Sequence, residues 1–408
     1  MKDTRIIVTG MGVIASLGAG AEEFEEALYA GRSGLGRSTL IQGRQPEVPA
    51  YEVPDFDARR WLGRKGIRAL DRSARLLSVA ACQALEYSGL AAQNGTEGEA
   101  PPDLGIVNGT MFGSVHSIAS FDLSGLVDTP RLVNPMAFPN TVINSPAGQA
   151  AIKHHLCGIN STVTAGLASG LYAIQYASDM LRLGRASALL AGGAEESCQE
   201  SFLGFLKNGL LSPRGKLEPF GKDRDGTVLG EGSALLVLES EDQAGVSGRP
   251  PLAEVCGFGE AHSAADSNAL RAGADAAAQA LETALQAAGI TFADVGLIVS
   301  GASGSRLGDK LESLALKKTF DHRLRQIPVC APKAAFGEAL GASGALLAVT
   351  AVLALRRQQA PPTAGFSECG EELSLSAQSQ PLEGEYALVN SLGCDGNYAA
   401  LVLRRWPD

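Results

Sequence analysis

The chain has 408 residues, of which 45% are hydrophobic and 19% are charged; this composition predicts a compact globular protein with more than one lobe. Its formal net charge of −10 argues against general affinity for nucleic acids or anionic membranes. The seven cysteines are dispersed without paired spacing, which favours reduced thiols in a cytoplasmic protein over a disulfide framework or a metal site. The opening "MKDTRIIVTG" enters a strand directly, so no signal peptide is expected.

Apolar runs alternate with helical patterns along the chain, and this alternation predicts an α/β fold. Helices are expected at 72–88, 274–288 and 341–357. The uncharged run 339–355 is just short of a membrane span, and we interpret it as a buried central helix. The predicted strands, in chain order, are 5–9, 104–108, 162–165, 188–192, 233–238, 252–257, 297–300, 328–331, 387–391 and 400–403.

The two halves of the chain resemble one another. "ALEYSGL" followed by "DLGIVNGT" is echoed by "ALQAAGI" followed by "DVGLIVSG", and "LASGLYAIQYASDMLRLG" is echoed by "GASGALLAVTAVLALRRQ". A third echo pairs "SALLAGGAEES" with "YALVNSLGCDG". Because the three echoes occur in the same order, we predict a duplicated unit, with one half over 1–245 and the other over 246–408.

Small residues dominate the helices that carry the second echo. Alanine and glycine allow two helices to approach closely, as two central helices in a layered fold would require, and close packing offsets the helix-propensity cost of glycine. The preceding stretch "TVTAGLASGLYAI" predicts a strand, a tight turn and a helix start. Such a turn often presents a nucleophile at a helix N-terminus, but here it presents Leu167, which has no reactive group.

Several stretches resemble the β-ketoacyl-acyl-carrier-protein synthases, which are condensing enzymes of the thiolase fold. "RIIVTGMGVIASLGAGAEEFEEALYAGRSGL" resembles their opening strand, loop and helix, and "EPFGKDRDGTVLGEGSALLVLES" resembles a loop-and-strand signature. "GDKLESLALKKTF" and "NSLGCDGN" are similar to two later segments. The resemblance covers essentially the whole chain, and it implies a thiolase-like five-layer αβαβα architecture with duplicated halves.

The residues that do the family's chemistry are replaced. The family uses a cysteine in a pattern like T-A-C-A-S-G, and counting from Gly158 places Leu167 at that position. Its two histidines, in patterns like A-H-G-T and K-x-x-x-G-H, fall on Ala302 and Glu338, and only Lys333 is retained. Acyl transfer needs a thiolate, and decarboxylation of a malonyl thioester needs donors at the forming enolate oxygen. We therefore predict no catalytic residue, no metal and no cofactor.

This profile resembles the chain length factors, or ketosynthase β subunits, of type II polyketide synthases. These form heterodimers with an active ketosynthase α, and the growing acyl chain runs toward their shared interface. The resemblance implies a ketosynthase α partner and an acyl carrier protein that is engaged mostly through that partner. Many members carry glutamine where this chain has Leu167. The bulky candidates for the tunnel wall, which ordinary interface or core packing would also explain, are Met111, Phe112, His116, Phe121 and Ile143.

Two charged features have alternative interpretations. Glu338 is expected to form a buried ion pair with Lys333, and the alternative is that it is a general base for an unrecognised reaction. A basic stretch is a candidate docking surface for the acidic carrier protein, through Arg64, Lys65 and Arg68. The alternative is a solvated helix face with ion pairs to Asp55, Asp57 and Asp71.

Two further functions stay open at this point. The first is a divergent β-ketoacyl synthase or malonyl decarboxylase with a relocated active site, which would use Glu338 or a thiol such as Cys330 or Cys394. Acylation of the chain by a thioester would identify it. The second is a structural or regulatory module that holds a fatty-acid synthase component. An effect of Phe112→Ala on product length would separate a length-setting factor from such a module.

Overall fold

The computed structural model describes residues 4–41, 47–90, 103–127, 129–264, 270–393 and 395–407. Cys394, one of the two thiols considered above, lies outside the described residues. Within them, the principal strands are β1 Ile6–Ala15, β2 Gly105–Gly109, β3 Asn160–Val163, β4 Ala188–Glu195, β5 Gly232–Ser240, β6 Ala253–His262, β7 Val295–Val299, β8 Val329–Cys330, β9 Tyr386–Leu392 and β10 Asn397–Arg405.

The principal helices match the predicted alternation. They are α1 Ala21–Tyr29, α2 Arg72–Ser88, α3 Val115–Val127, α4 Ser145–His154, α5 Ser169–Arg182, α6 Gln199–Lys207, α7 Leu270–Ala287, α8 Arg306–Phe320 and α9 Ser343–Arg357. Minor elements are the strands Gly18–Ala19, Gly36–Arg37, Pro49–Ala50, Gln359–Ala360 and Gln380–Pro381, and the short helical segments Arg59–Leu62, Pro135–Thr141, Glu241–Ser247, Phe292–Asp294, Asp321–Arg325, Lys333–Phe336 and Leu340–Ala342.

The strand order confirms the duplication. The first half is ordered β1-β5-β4-β2-β3 and the second β6-β10-β9-β7-β8, so each half follows the order first, fifth, fourth, second, third. The pattern of parallel and antiparallel neighbours is also the same: the first, fifth and fourth strands of each half pair antiparallel, and the fourth, second and third pair parallel. The halves join where Ile6–Val8 of β1 pairs with β6.

Five layers are stacked as the thiolase-like architecture requires. Helices α2 and α4 cover the outer face of the first half-sheet, α7 and α8 lie on the outer side of the second, and α5 and α9 fill the space between them. Three apolar cores lie between the layers: one under each outer helical layer, and one that both half-sheets share with the central helices. The two central helices approach each other closely: a Cβ on Gly170 would lie 2.7 Å from the backbone nitrogen of Ala345. The small residues of the echoed helices therefore serve close helix approach.

Local chemistry explains the helix boundaries. The Asp71 side chain accepts a hydrogen bond from the Ala74 N–H at the start of α2, and Gly89 ends that helix in the left-handed region at φ 69°. The segment Leu340–Arg357, which includes α9, is the one helical stretch of the described residues that is apolar and long enough to cross a membrane, but 89% of it is buried inside the protein. The prediction of a buried central helix is confirmed.

Candidate functional site

The predicted elbow forms between β3 and α5. Gly166 adopts φ +59° in the turn, a conformation that glycine reaches without steric cost. The Ser169 hydroxyl donates to the Gly166 carbonyl at 2.6 Å and accepts from the Ala165 N–H at 2.9 Å, which closes the turn. Leu167 follows at the tip, with its carbonyl accepting from the Ser391 hydroxyl at 2.9 Å. The backbone of a nucleophile elbow is thus kept, although its side chain is aliphatic.

Leu167 lies in an apolar cluster rather than an open cleft. Its buried neighbours in the cluster are Phe205, Leu229 and Leu340. Met111, Phe112, Phe202, Leu210 and Leu211 pack against these residues from the outer side. Within the chain, the space around the elbow is filled by hydrocarbon, which disfavours a charged thioester enolate at this position.

The predicted Lys333–Glu338 pair is present and fully enclosed. Lys333 Nζ donates to Glu338 Oε2 at 2.7 Å, and each side chain is only 1% exposed. The other carboxylate oxygen, Oε1, accepts from the Ser343 hydroxyl at 2.7 Å and from the Leu340 N–H at 3.1 Å. Both carboxylate oxygens of Glu338 therefore accept hydrogen bonds from groups of this chain. The carboxylate is thus arranged as a structural acceptor. In the sequence, Glu338 stands where the K-x-x-x-G-H pattern of the β-ketoacyl synthases has its histidine.

Ala302 is also buried. Its N–H donates to the Ser300 hydroxyl at 3.0 Å, and the loop that follows is bound by Asp309, which accepts from the N–H groups of Ser303 and Gly304. Burial raises the pKa of Asp309 to about 6. The methyl group of Ala302 supplies no hydrogen-bond donor where the family pattern has an imidazole.

A further acid lies against the elbow. A Cβ built on Gly166 would overlap the Asp395 carboxylate, so this side chain is packed directly on the turn that precedes Leu167. Asp395 also accepts from the Asn397 side chain at 2.8 Å. Because Asp395 is exposed to solvent, its charge is largely screened; as an acceptor, it supplies no hydrogen-bond donor to an oxyanion at the elbow.

Cys330 is poorly suited to be the nucleophile of a relocated active site. The residue lies in β8 with no exposed surface, and burial raises the pKa of its thiol to about 12. Because the thiolate is the nucleophilic form, Cys330 is unreactive near neutral pH. Within the described ranges, no group of three or more histidine, cysteine, aspartate or glutamate side chains is placed to hold a metal ion.

An apolar cavity of about 290 Å³ opens beside the elbow cluster, between α3 and α6. Met111 and Phe112 line it, together with Phe205 and Leu210 of the cluster. His116 stands near its rim on α3, where Nδ1 lies 3.2 Å from Glu200 Oε2. The structure thus brings three of the five tunnel candidates to one place.

The other two tunnel candidates lie elsewhere. The ring of Phe121 packs against Phe138 with centroids 6.0 Å apart, on the outer side of α3. Ile143 is 41% exposed and lies against Gly113. The structure does not place these two side chains in the cavity lining: Phe121 faces Phe138, and Ile143 lies in the segment between α3 and α4.

Sequence reasoning missed the residue that holds the cavity-lining segment. Glu195, buried at the end of β4, accepts from the N–H groups of Met111 at 2.6 Å, Phe112 at 3.0 Å and Gly341 at 3.1 Å. Burial raises the pKa of Glu195 to about 7. An acidic residue directly after the apolar strand "ALLAGGA" was the available signal, because a carboxylate at such a depth needs several donors.

Many exposed apolar side chains lie on α3, on the segment that follows it, and on α4 and α6. The apolar helix α3 has no buried residue, and α6 also carries exposed leucines beside the cavity. Large exposed patches of this kind usually mark an interaction site. We call the following residues the apolar surface: Leu123, Leu126, Val127, Leu132, Met136, Phe138, Val142, Ile143, Ile152, Leu203 and Leu206.

The basic stretch is exposed but is not a helix face, which corrects one of the two interpretations above. Only Arg59–Leu62 is helical, because Gly63 ends the turn at φ 67°. Arg64, Lys65 and Arg68 follow in an exposed loop, which is tied beside the apolar surface where Asn140 Nδ2 donates to the Ala69 carbonyl at 2.9 Å.

Two of the acids proposed as its ion-pair partners have defined roles. Asp57 pairs with Arg59 at 2.7 Å, as predicted. Asp71 is used for capping α2 and for accepting from the Ser117 hydroxyl at 3.0 Å.

The duplicated five-layer fold with an elbow at the start of a central helix defines the class as thiolase-like. The family model for the N-terminal domain of beta-ketoacyl synthases matches residues 3–244, and the model for the C-terminal domain matches residues 252–367. The chain belongs to the beta-ketoacyl synthase family.

Similar proteins include 3-oxoacyl synthases and a ketosynthase/chain length factor. The 3-oxoacyl-[acyl-carrier-protein] synthase 2 of Vibrio cholerae is 31% identical, with 99% of this chain and 100% of the relative covered. The solved structure of the ishigamide ketosynthase/chain length factor has a TM-score of 0.89 at 29% identity, covering 99% and 100% of the two chains. A type II polyketide synthase acyl-carrier protein in complex with its ketosynthase has a TM-score of 0.85 at 25% identity, with 99% and 100% coverage.

Proposed function

We propose that this chain is a non-catalytic chain length factor, which pairs with an active ketosynthase α and shapes the acyl tunnel of a cytoplasmic type II polyketide synthase. The observation that carries the proposal is the enclosed state of the family's reactive positions: Leu167 is in an apolar cluster, Ala302 is buried, and Glu338 is bonded to Lys333. A ketosynthase-like chain without a nucleophile can contribute to condensation only through a catalytic partner.

The charge at these positions favours the same conclusion. Decarboxylation of a malonyl thioester places negative charge on the enolate oxygen, which hydrogen-bond donors must stabilise. At the position of the second family histidine this chain instead has the Glu338 carboxylate, which is an acceptor and is already bonded to Lys333 and Ser343. Restoring a cysteine at Leu167 alone is therefore not expected to restore condensation.

The apolar surface is the expected contact with the partner. Leu126 on α3 is 84% exposed, and the segment after α3 adds further exposed aliphatic and aromatic side chains. Among the described residues, strand β3 is the edge strand of the first half-sheet and pairs only with β2. An open strand edge beside an apolar surface is suited to a large hydrophobic protein–protein interface. The solved ketosynthase/chain length factor structure, which is similar over nearly the whole chain, supports a paired assembly.

The cavity supports a role in shaping the product. Met111 and Phe112 line it directly beside the apolar surface, so an acyl chain that crosses from the partner would meet these side chains. A bulky residue in the path makes further extension cost more than release, and this limits product length by steric exclusion. The exposed basic loop is expected to assist the acidic carrier protein as it approaches the assembled pair.

The proposal is tested by co-expressing this chain with a ketosynthase that retains its cysteine and both histidines, the first choice being one encoded beside it. We expect a tight heterodimer that makes polyketide, whereas neither subunit makes it alone. Leu126→Asp should abolish pairing without unfolding the chain. Val246→Asp is the matched control, because Val246 is also 84% exposed but lies outside the apolar surface. A stable homodimer of this chain with condensing activity would overturn the proposal.

A divergent synthase is the second candidate, because the similar curated relatives are named as 3-oxoacyl synthases. It requires an acyl acceptor on this chain. The buried Cys330 is a poor one, and intact-mass measurement after incubation with malonyl or acetyl thioesters discriminates the two functions directly.

A further inference from the structure

The cavity beside the elbow has the size and the lining of a site for a small apolar group. Its volume is about 290 Å³, near the lower end of the roughly 300–1,000 Å³ range of ligand pockets. The aliphatic and aromatic part of the lining consists of Met111, Phe112, Val115, Phe205 and Leu210, and polar contributions come from Glu200, Ser201 and Asn208. The exposed Leu203 and Leu206 of α6 continue this apolar character outside the cavity.

The inner wall of the cavity continues directly into the elbow cluster. Phe205, a lining residue, is a buried member of the same cluster as Leu167 and Leu340. The buried Lys333–Glu338 ion pair adjoins this cluster, because the N–H of Leu340 donates to Glu338. The isopropyl group of Leu167 therefore belongs to the hydrocarbon layer between the cavity and a buried ion pair.

We infer that Leu167 is a specificity-determining residue, which closes the inner end of a cavity for the apolar end of the acyl chain carried by the partner. This inference rests on the proposed function. The occupant is apolar because the wall it reaches is hydrocarbon, where a polar or charged group would lose its hydration without gaining a partner. The entrance beside the apolar surface faces the side from which a partner-bound chain would come.

The position explains why the elbow is kept although its nucleophile is gone. The turn at Gly166 and the Ser169 hydrogen bonds fix the Leu167 backbone, and its carbonyl is held by Ser391. The side chain at this site is thus held rigidly, as a stop for a growing chain must be.

The test measures the product lengths made by the intact heterodimer with Leu167→Ala and with Leu167→Phe in this chain. We expect Leu167→Ala, which removes the isopropyl group, to move the distribution toward longer products by at least one extension unit. Leu167→Phe should move it toward shorter ones. Leu181→Ala is the matched control, because Leu181 is a buried leucine near the C-terminal end of α5, in the central core and not in the elbow cluster. It should leave the distribution unchanged.

Because the two variants act in opposite directions, either one decides the question if the other fails to fold. An unchanged length distribution in a folded, paired Leu167 variant would overturn the inference while leaving the proposed function intact. A shift of the same size with Leu181→Ala would also overturn it, since the effect would then follow from general destabilisation. Failure of the unmodified chain to pair or to yield product with any ketosynthase would instead count against the proposed function.

Discussion

The buried Lys333–Glu338 pair allows a quantitative prediction about the degenerate site. Glu338→Ala would leave the Lys333 ammonium, only 1% exposed, without its partner at 2.7 Å. It would also remove the acceptor of the Ser343 hydroxyl and the Leu340 N–H. Breaking a buried ion pair from one side typically costs about 3–5 kcal/mol. We therefore expect Glu338→Ala to lower the free energy of unfolding by at least about 3 kcal/mol, as measured by urea denaturation of the isolated chain.

Two comparisons make this prediction specific. In the double variant Lys333→Met with Glu338→Gln no buried charge is left unpaired and an oxygen acceptor is kept, so most of the lost stability should return. Lys317→Ala breaks the ion pair between Lys317 and Glu372, whose side chains are 61% and 59% exposed, and should lower the free energy of unfolding far less, because exposed pairs contribute little. A Glu338→Ala effect as small as that of Lys317→Ala would refute a structural role for the pair.

Three further predictions concern pH, the cavity and the carrier protein. Burial raises the pKa of Glu196 from its usual 4.5 to about 8; the folded state therefore retains a proton that the unfolded state loses, and stability should decline by up to about 5 kcal/mol as pH rises from 4.5 to 8. Glu196→Gln should flatten that decline in pH-dependent urea melts, and an unchanged slope would contradict the reasoning. Phe112→Ala in the heterodimer should lengthen the product, as read by mass spectrometry, and an unchanged length would remove Phe112 from the tunnel. Charge reversal of the basic loop, at Arg64, Lys65 and Arg68, should weaken carrier-protein binding most at low ionic strength, as measured by titration calorimetry. An equal loss of affinity at every salt concentration would argue against electrostatic docking.

The fold could be predicted from the sequence because most of its strands are buried on both sides. Such strands appear as continuous apolar runs between helical patterns, and each predicted run overlaps an observed strand. The boundaries were harder to predict. The run predicted to end at 192 continues to Glu195, because the donors that satisfy this buried carboxylate come from Met111, Phe112 and Gly341, far away in the chain.

The candidate site could be predicted only in part, because several of its contacts join residues that are far apart in the chain. The Lys333–Glu338 pair was predictable because both residues lie in one short segment. The placement of Phe121 and Ile143 was not, since a bulky apolar side chain is equally consistent with a tunnel wall and with an interface. Only the layering of the chain shows that α3 has no buried residue. Local sequence patterns do not distinguish burial in the chain's own core from burial by a second subunit.

The most direct test follows the acyl group through the assembled pair. The heterodimer is incubated with isotopically labelled acyl-carrier thioester, and the intact mass of each subunit is then measured. We expect the label on the catalytic partner only, with this chain unmodified, because its elbow carries Leu167 and its buried Cys330 thiol has a pKa of about 12. A labelled acyl group bound covalently to this chain would contradict the account.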